Sequence, residues 1–335
     1  MNRMLLLAVL CCVAVAGVAE RVPILYSTDL YHPHGDPDDH YDLMTLFALP
    51  EFYIRGVVLD ADPKCERKPA VCAMEQMMAL TGRQVPFAAG LRQRLDGPED
   101  TAEDRPAEEQ AAVELILRVL SEAEETVTLF TVGSLRDMAA AYNREPALFA
   151  EKVGRFYINI GWVGEKQEWN VGLDANAYVR ILRSDLPVFW CPCFGEDGWQ
   201  TYWKFRQADV LADQRAPVQN FFLYMLGRLD PQQVPPIEYL QREVDDAAVK
   251  EFYPKDRNMW CTGPFLHAAG RKSDVFTFAP LTFTVDDAGT TIPGTGDAAI
   301  TRTTFRVTDP QRYATVMTEA LRDLYAGLPL ASTFE

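Results

Sequence analysis

Basic side chains are in short supply in this chain: 32 Lys and Arg stand against 48 Asp and Glu in 335 residues, a formal net charge of −16. Such a surface repels phosphate backbones and anionic lipid, so nucleic-acid polymers and membrane surfaces are not expected partners, whereas single nucleosides stay open. Internal repeats and low-complexity linkers are absent. Long apolar runs are lacking too, with one exception from Met4 to about Val18, which falls short of the roughly 20 residues a spanning helix needs. With Arg3 ahead of it and small residues at Gly17 and Ala19, this run reads as a secretory signal peptide over residues 1–19. Cys11 and Cys12 follow Leu10 and Cys11, not the small residue expected at a lipoprotein cleavage site. The expectation is an exported protein, periplasmic or secreted. Cleavage would remove Arg3 alone among the charged side chains and take the net charge from −16 to −17.

Cysteine is sparse. Beyond the leader stand Cys65, Cys72, Cys191, Cys193 and Cys261, an odd count that leaves at least one unpaired. Cys191-Pro-Cys193 ends an apolar strand and has no second pair at ligand spacing, so core packing is expected of it. Cys65 with Cys72 is the one local disulfide to entertain. It requires a loop, because one continuous helix would hold the two about 10 Å apart.

What is present is a large apolar inventory, 48% of the chain, enough for a sizeable core. β-rich runs alternate with helical patterns. Pro23–Ser27 predicts a strand, Tyr41–Leu49 a helix and Tyr53–Leu59 a strand; "AVCAMEQMMALTG" is a helix closed by Gly82, and "VPFAAG" a short strand. "EEQAAVELILRVLSEAEE" is helical, "TVTLFTVG" a strand, "LRDMAAAYNREPALFAEKV" helical, and "RFYINIGW" and "LPVFWCPC" are strands on either side of helical "NAYVRILRSD". This alternation predicts an α/β fold: a doubly wound, mostly parallel sheet with helices on both faces. Residues 198–258 turn helical and aromatic and read as a helical cap or insertion within one domain over 20–335. "DVFTFAPLTFTV" and "AAITRTTFRV" predict C-terminal antiparallel strands, and a last helix closes the chain.

Ligands of open parallel sheets collect at the carboxyl ends of the strands. The first strand ends at Thr28-Asp29, ahead of a loop with Asp36, Asp38 and Asp39; the second ends at Asp60-Ala61-Asp62; later ends lead to Gly133–Asp137 and to Glu168 and Asn170. Carboxylates gathered on one rim raise one another's pKa unless a cation neutralises them. Oxygen donors select Ca²⁺ or Mg²⁺, and a flexible loop with several carboxylates favours Ca²⁺. His32, His34 and His40 share that loop and argue for zinc, but their neighbours are nearly all oxygen donors.

The blocks "STDLYHPHGDPDDHYDLMTLFALPEFYIRGVV", "ALTGRQVPFAAG", "TLFTVGSLRDMAAAY", "EWNVGLDANAYVRIL" and "VTDPQRYATVMTEALRDLY" resemble, in order and spacing, the calcium-dependent inosine-uridine nucleoside hydrolases, over nearly the whole chain past the leader. The resemblance implies that Asp29 ligates calcium and deprotonates the attacking water, that Asp39 is the second calcium carboxylate, and that Asp38 holds ribose hydroxyls. It implies a backbone carbonyl ligand at Arg136, a family asparagine near Asp62, and a ribose grip by Glu168 and Asn170. Two departures stand out. The loop between Asp29 and Asp38 is longer than the family's, and the late His-Asp pair is replaced in "NMWCTGPFLHAAG", with the aspartate falling near Thr262. His267 reads as a packed histidine. The aromatics Trp199, Tyr202, Trp203, Phe221, Phe222, Tyr224 and Trp260 could stack on a base, although aromatic stripes at helical spacing more often form core. The reading is a calcium-dependent hydrolase of a ribonucleoside or related ribosyl compound; the alternative is a non-catalytic calcium- and sugar-binding protein of the same fold. The sequence is compatible with a homo-oligomer.

Overall fold

The computed structural model describes residues 21–32, 35–61 and 68–334. The expected leader, His34, Asp62 and Cys65 lie outside the described residues, and with them the Cys65–Cys72 pairing. Among the described residues no helix is long and apolar enough to cross a membrane.

Nine strands form the main sheet: β1 (Val22–Thr28), β2 (Phe52–Leu59), β3 (Phe87–Ala89), β4 (Val127–Thr131), β5 (Val153–Ile158), β6 (Val188–Trp190), β7 (Phe276–Val285), β8 (Thr291–Pro293) and β9 (Ile300–Val307). Their order across the sheet is β8-β7-β9-β6-β5-β4-β1-β2-β3. Pairings from β3 through to β9 are parallel, and β7 is antiparallel to both its neighbours. A parallel strand covered on both faces has no polar side, which is why β1 reads as an unbroken apolar run. Ile24 and Tyr26 pack into one core and Leu25 into the other. The first core is covered by α1 (Asp38–Ala48) and α2 (Val71–Thr81), the second by α3 (Ala111–Ser121), α4 (Arg136–Arg144), and further along the chain, beyond α5 (Trp169–Leu173), by α6 (Ala175–Leu182). Gly82 ends α2 in the left-handed conformation, φ 67°.

Two expectations are refined. The segment "LRDMAAAYNREPALFAEKV" is broken rather than one helix: α4 stops at Arg144, and Pro146 starts a new helix, Pro146–Lys152, because the residue before a proline avoids the helical region. Residues 198–258 are not all helical. They include Trp203–Arg206, which pairs antiparallel with Asp256–Met259, and the helix α7 (Ala216–Leu226). Phe221, Phe222 and Tyr224 are buried in the first core, with Phe222 4.3 Å from the Tyr41 ring of α1. These aromatics are core.

Candidate active site

The strand order reverses at β1: the chain moves outward through β2 on one side and through β4 on the other, so the loops after β1 and β4 part and leave a crevice. A cavity of about 320 Å³ opens there, lined by Asp29, Asp36, Asp38, Asp39, Val132, Asn159, Glu168, Trp169, Asn170, Cys193, Phe194, Trp260 and Cys261. Five of the expected site residues, Asp29, Asp38, Asp39, Glu168 and Asn170, therefore meet on one wall system.

Asp29 follows the last residue of β1, and Asp38 and Asp39 open α1, where the positive end of the helix dipole favours carboxylates. The side chains of Asp29 and Asp39 hydrogen-bond to each other. Asp39 also accepts from the Tyr26 hydroxyl at 3.3 Å and from the Thr28 hydroxyl. Burial, then Asp39, pushes the Asp29 carboxyl well above the usual carboxylate range. Burial likewise raises Asp39, against the hydrogen bonds from Asp29, Thr28 and Tyr26. Asp38 is pushed well up by burial and by Asp39, with Arg257 pulling it back; Arg257 itself pairs with Asp36 at 2.7 Å. Asp42 stands one turn on from Asp38, buried, with neither carboxylate oxygen in a hydrogen bond of ordinary geometry. Burial and Asp39 raise it well above the usual range, and the neighbouring Cys261 thiol lowers it.

The opposite side is built on two turns. Gly161, at φ 102°, must be glycine, since a Cβ there would lie 2.3 Å from the Tyr178 hydroxyl. Glu168 caps α5: its carboxylate accepts from the backbone N–H of Asn170 at 3.0 Å, Val171 at 3.3 Å and Gly161 at 3.2 Å. Burial raises its pKa while these N–H groups hold it down. Asn170 Nδ2 donates to the Val132 carbonyl at 2.8 Å. The remaining wall is aromatic. Phe194 and Trp260 meet edge-on at 5.9 Å, Tyr202 packs on both, and the Trp169 indole, 68% exposed, stands at the mouth.

Arg136 does not line this cavity. Its guanidinium is drawn the other way: it lies 3.9 Å from Asp60 and donates to Asp174 at 3.1 Å and to the carbonyls of Ala61 and Leu91 at 2.6 and 2.9 Å. Burial opposes the guanidinium's charge, but Asp60, Asp174 and Asp137 outweigh it and leave its pKa raised. Asp60 also accepts from the Ser134 N–H and hydroxyl at 2.6 and 3.0 Å. The Arg136 side chain thus ties together the loops behind the site. Thr262 is fully buried as the first residue of α8 (Thr262–Ala268) and is off the cavity wall; Cys261, not Thr262, stands beside the carboxylates. Of these two consecutive residues, the one before the helix faces the cavity. His267 meets the Tyr157 hydroxyl at 2.8 Å and packs on Phe278, as expected of a core histidine. Cys191 and Cys193 are buried free thiols.

The sequence pattern of the family described as inosine-uridine preferring nucleoside hydrolase matches residues 27–308. The chain belongs to that family. Among curated relatives, a pyrimidine-specific ribonucleoside hydrolase of Enterobacter is 27% identical over 188 residues, 50% of this chain and 58% of the relative; its counterpart in Klebsiella pneumoniae is 26% identical over the same length. The chain thus spans just over half the length of these relatives. Solved structures similar in fold include a plant nucleoside hydrolase, TM-score 0.58 at 16% identity over 90% of this chain and 99% of that one, and an inosine-uridine preferring nucleoside hydrolase from Bacillus anthracis, TM-score 0.55 at 14% identity with the same coverages.

Nucleoside hydrolases of this family are metal-dependent, so the donor set matters. Asp29 and Asp39, side by side and both raised in pKa, are the arrangement a hard cation would relieve. Among the described residues no group of three or more His, Cys, Asp or Glu side chains is set to hold a metal. The pair fits a cation whose remaining shell comes from water or ligand oxygens. Sequence reasoning missed Asp42, Asn159, Cys193, Phe194 and Cys261. Asn159 and Cys193 follow the ends of β5 and β6, so the strand-end rule reaches them, and Asp42 lies three and four residues beyond Asp39 and Asp38, on their side of a helix.

Proposed function

We propose that this chain hydrolyses the N-glycosidic bond of a ribonucleoside or related ribosyl compound, with calcium held by Asp29 and Asp39. The observation that carries this is the Asp29–Asp39 pair opening into the same cavity as Glu168 and Asn170, at the switch point of a nucleoside-hydrolase sheet. When bound, the cation supplies an oriented, acidified water and a grip on sugar hydroxyls. Asp29 takes the proton of the attacking water. Departure of the base leaves positive charge on the sugar ring, and the fixed carboxylates of Asp38 and Asp39 lie where that charge develops. Asn170 and Glu168 orient the sugar, with Asp38 on its hydroxyls; Asp62 is a further proposed contact. The base rests on Trp260, Phe194 and Trp169. No imidazole of the described residues lines the cavity to protonate the leaving group.

A second reading follows from Cys261 standing on the wall where a further carboxylate would complete the donor set: a calcium- and sugar-binding protein without turnover. Incubating the protein with calcium and a panel of purine and pyrimidine nucleosides separates the two. Released base supports hydrolysis; nucleoside bound by calorimetry with no release supports binding alone. Export rests on residues 1–19, and amino-terminal sequencing of protein recovered from outside the cytoplasm should begin near residue 20. A start at Met1 would contradict it.

A further inference from the structure

Every polar atom of Asn159 but one is accounted for. Asn159 follows the last residue of β5, is 4% exposed and lines the cavity. Its backbone N–H donates to the Thr131 carbonyl at 2.8 Å, and its backbone carbonyl accepts from the Cys193 thiol at 3.6 Å. Side-chain Nδ2 donates to the Cys191 carbonyl at 3.1 Å and to the Thr201 hydroxyl at 3.0 Å. The amide cannot be turned round. The Cys191 carbonyl only accepts, and the Thr201 hydroxyl spends its proton on the Pro192 carbonyl at 3.1 Å, so both neighbours require the N–H group. Oδ1 is therefore fixed as the atom left over, buried and without a partner.

A buried acceptor in that state is stabilised only when a donor reaches it. Across the same cavity Asn170 repeats the pattern: Nδ2 is held by the Val132 carbonyl, and Oδ1 is buried and unpartnered. Two anchored amides with unpartnered acceptors, on residues that line the cavity together with Asp29, Asp38 and Asp39, call for a neutral ligand rich in O–H donors and repel an anionic one. A flat base finds its own surface on the Phe194–Trp260 wall. Resting on the ribosyl reading above, we infer that Asn159 Oδ1 accepts a hydrogen bond from a hydroxyl of the bound sugar and so helps decide which sugars the cavity takes, unphosphorylated ones being favoured.

Calorimetry on the full chain with calcium, using D-ribose and its 2-, 3- and 5-deoxy analogues, tests this. The native protein should bind at least one deoxy sugar roughly three- to tenfold more weakly than ribose, the effect of one lost hydrogen bond to a neutral group. In Asn159→Leu the penalty for one analogue should vanish while the others persist, a pattern that general loosening of the site would not produce. Should Asn159→Leu not fold, Asn159→Ser carries the same comparison. Survival of all three penalties in the variant means that water or protein meets Oδ1, and overturns the inference. A variant that loses affinity for free base but not for ribose overturns the sugar assignment. Binding is read without turnover: no base release from nucleosides alongside the expected ribose pattern sinks hydrolysis and leaves this inference standing, and no ribose binding by the native protein overturns it.

Discussion

Arg136→Met tests whether the buried network behind the site, rather than the cavity itself, holds the rim loops in place. Arg136 is 2% exposed, as is Asp60, and Asp174 is fully buried, so solvent cannot take over when the guanidinium goes. The change leaves two buried carboxylates uncompensated and frees the Ala61 and Leu91 carbonyls. Removing one partner of a buried, hydrogen-bonded ion pair costs about 3–5 kcal/mol. At about 2 °C per kcal/mol for a chain of this size, the thermal midpoint should fall by about 6–10 °C. Arg136→Lys keeps the charge but cannot fork to Asp174 and both carbonyls at once, so its loss should be intermediate. Differential scanning calorimetry on both variants reads the effect. A fall below about 2 °C in Arg136→Met would refute the reasoning, since it would mean that the acids behind the site carry no charge for Arg136 to balance.

The folded pKa values of Asp29, Asp38, Asp42 and Asp137 are all raised, burial being the largest cause in each, with Asp137 pushed up to about 7. The folded chain therefore keeps protons that the unfolded chain releases. Stability from these groups is full below the ordinary carboxylate range and is lost as the pH rises toward and past about 7, so without divalent ions the thermal midpoint should peak in mild acid and fall toward neutrality. Calcium should recover part of that loss, and a midpoint that instead rises steadily up to neutral pH would count against raised values. In calcium titrations, Asp39→Ala should bind the ion at least tenfold more weakly, whereas Asp38→Ala should keep most of the affinity and lose ribose binding. Cys261→Asp should tighten calcium by placing a third carboxylate beside Asp39, because ligand charge count tunes such sites, and unchanged affinity would show that Cys261 does not face the ion.

The sheet and most of its helices were legible because a two-sided parallel sheet writes itself as apolar runs separated by helical spacing, and the strand-end rule then brought Asp29, Asp38, Asp39, Glu168 and Asn170 to one rim. What the sequence left open has physical causes. For Arg136 the resemblance concerned only the backbone carbonyl; its buried guanidinium takes its direction from its charge partners Asp174 and Asp60, 38 and 76 residues away along the chain, which local spacing does not reveal. Thr262 and Cys261 are neighbours on one turn, and only three-dimensional placement tells which of two consecutive residues faces a cavity. The aromatic segment 198–258 could not be divided between core and cavity by spacing alone: Phe221 and Phe222 pack on α1 and Tyr224 elsewhere in the same core, while the cavity draws its aromatic wall from Phe194 and Trp260 on either side of that segment.

The central claim is that the Asp29–Asp39 pair drives hydrolysis of the bond between a bound sugar and its base. Release of free base from inosine, uridine, adenosine and cytidine, followed by chromatography with calcium present and with Asp29→Ala beside the native chain, tests it most directly. The account predicts steady release of base from at least one nucleoside by the native protein, abolished in Asp29→Ala while that variant stays folded by calorimetry. Equal release by the two proteins, or none from any nucleoside that binds the native protein, would contradict it.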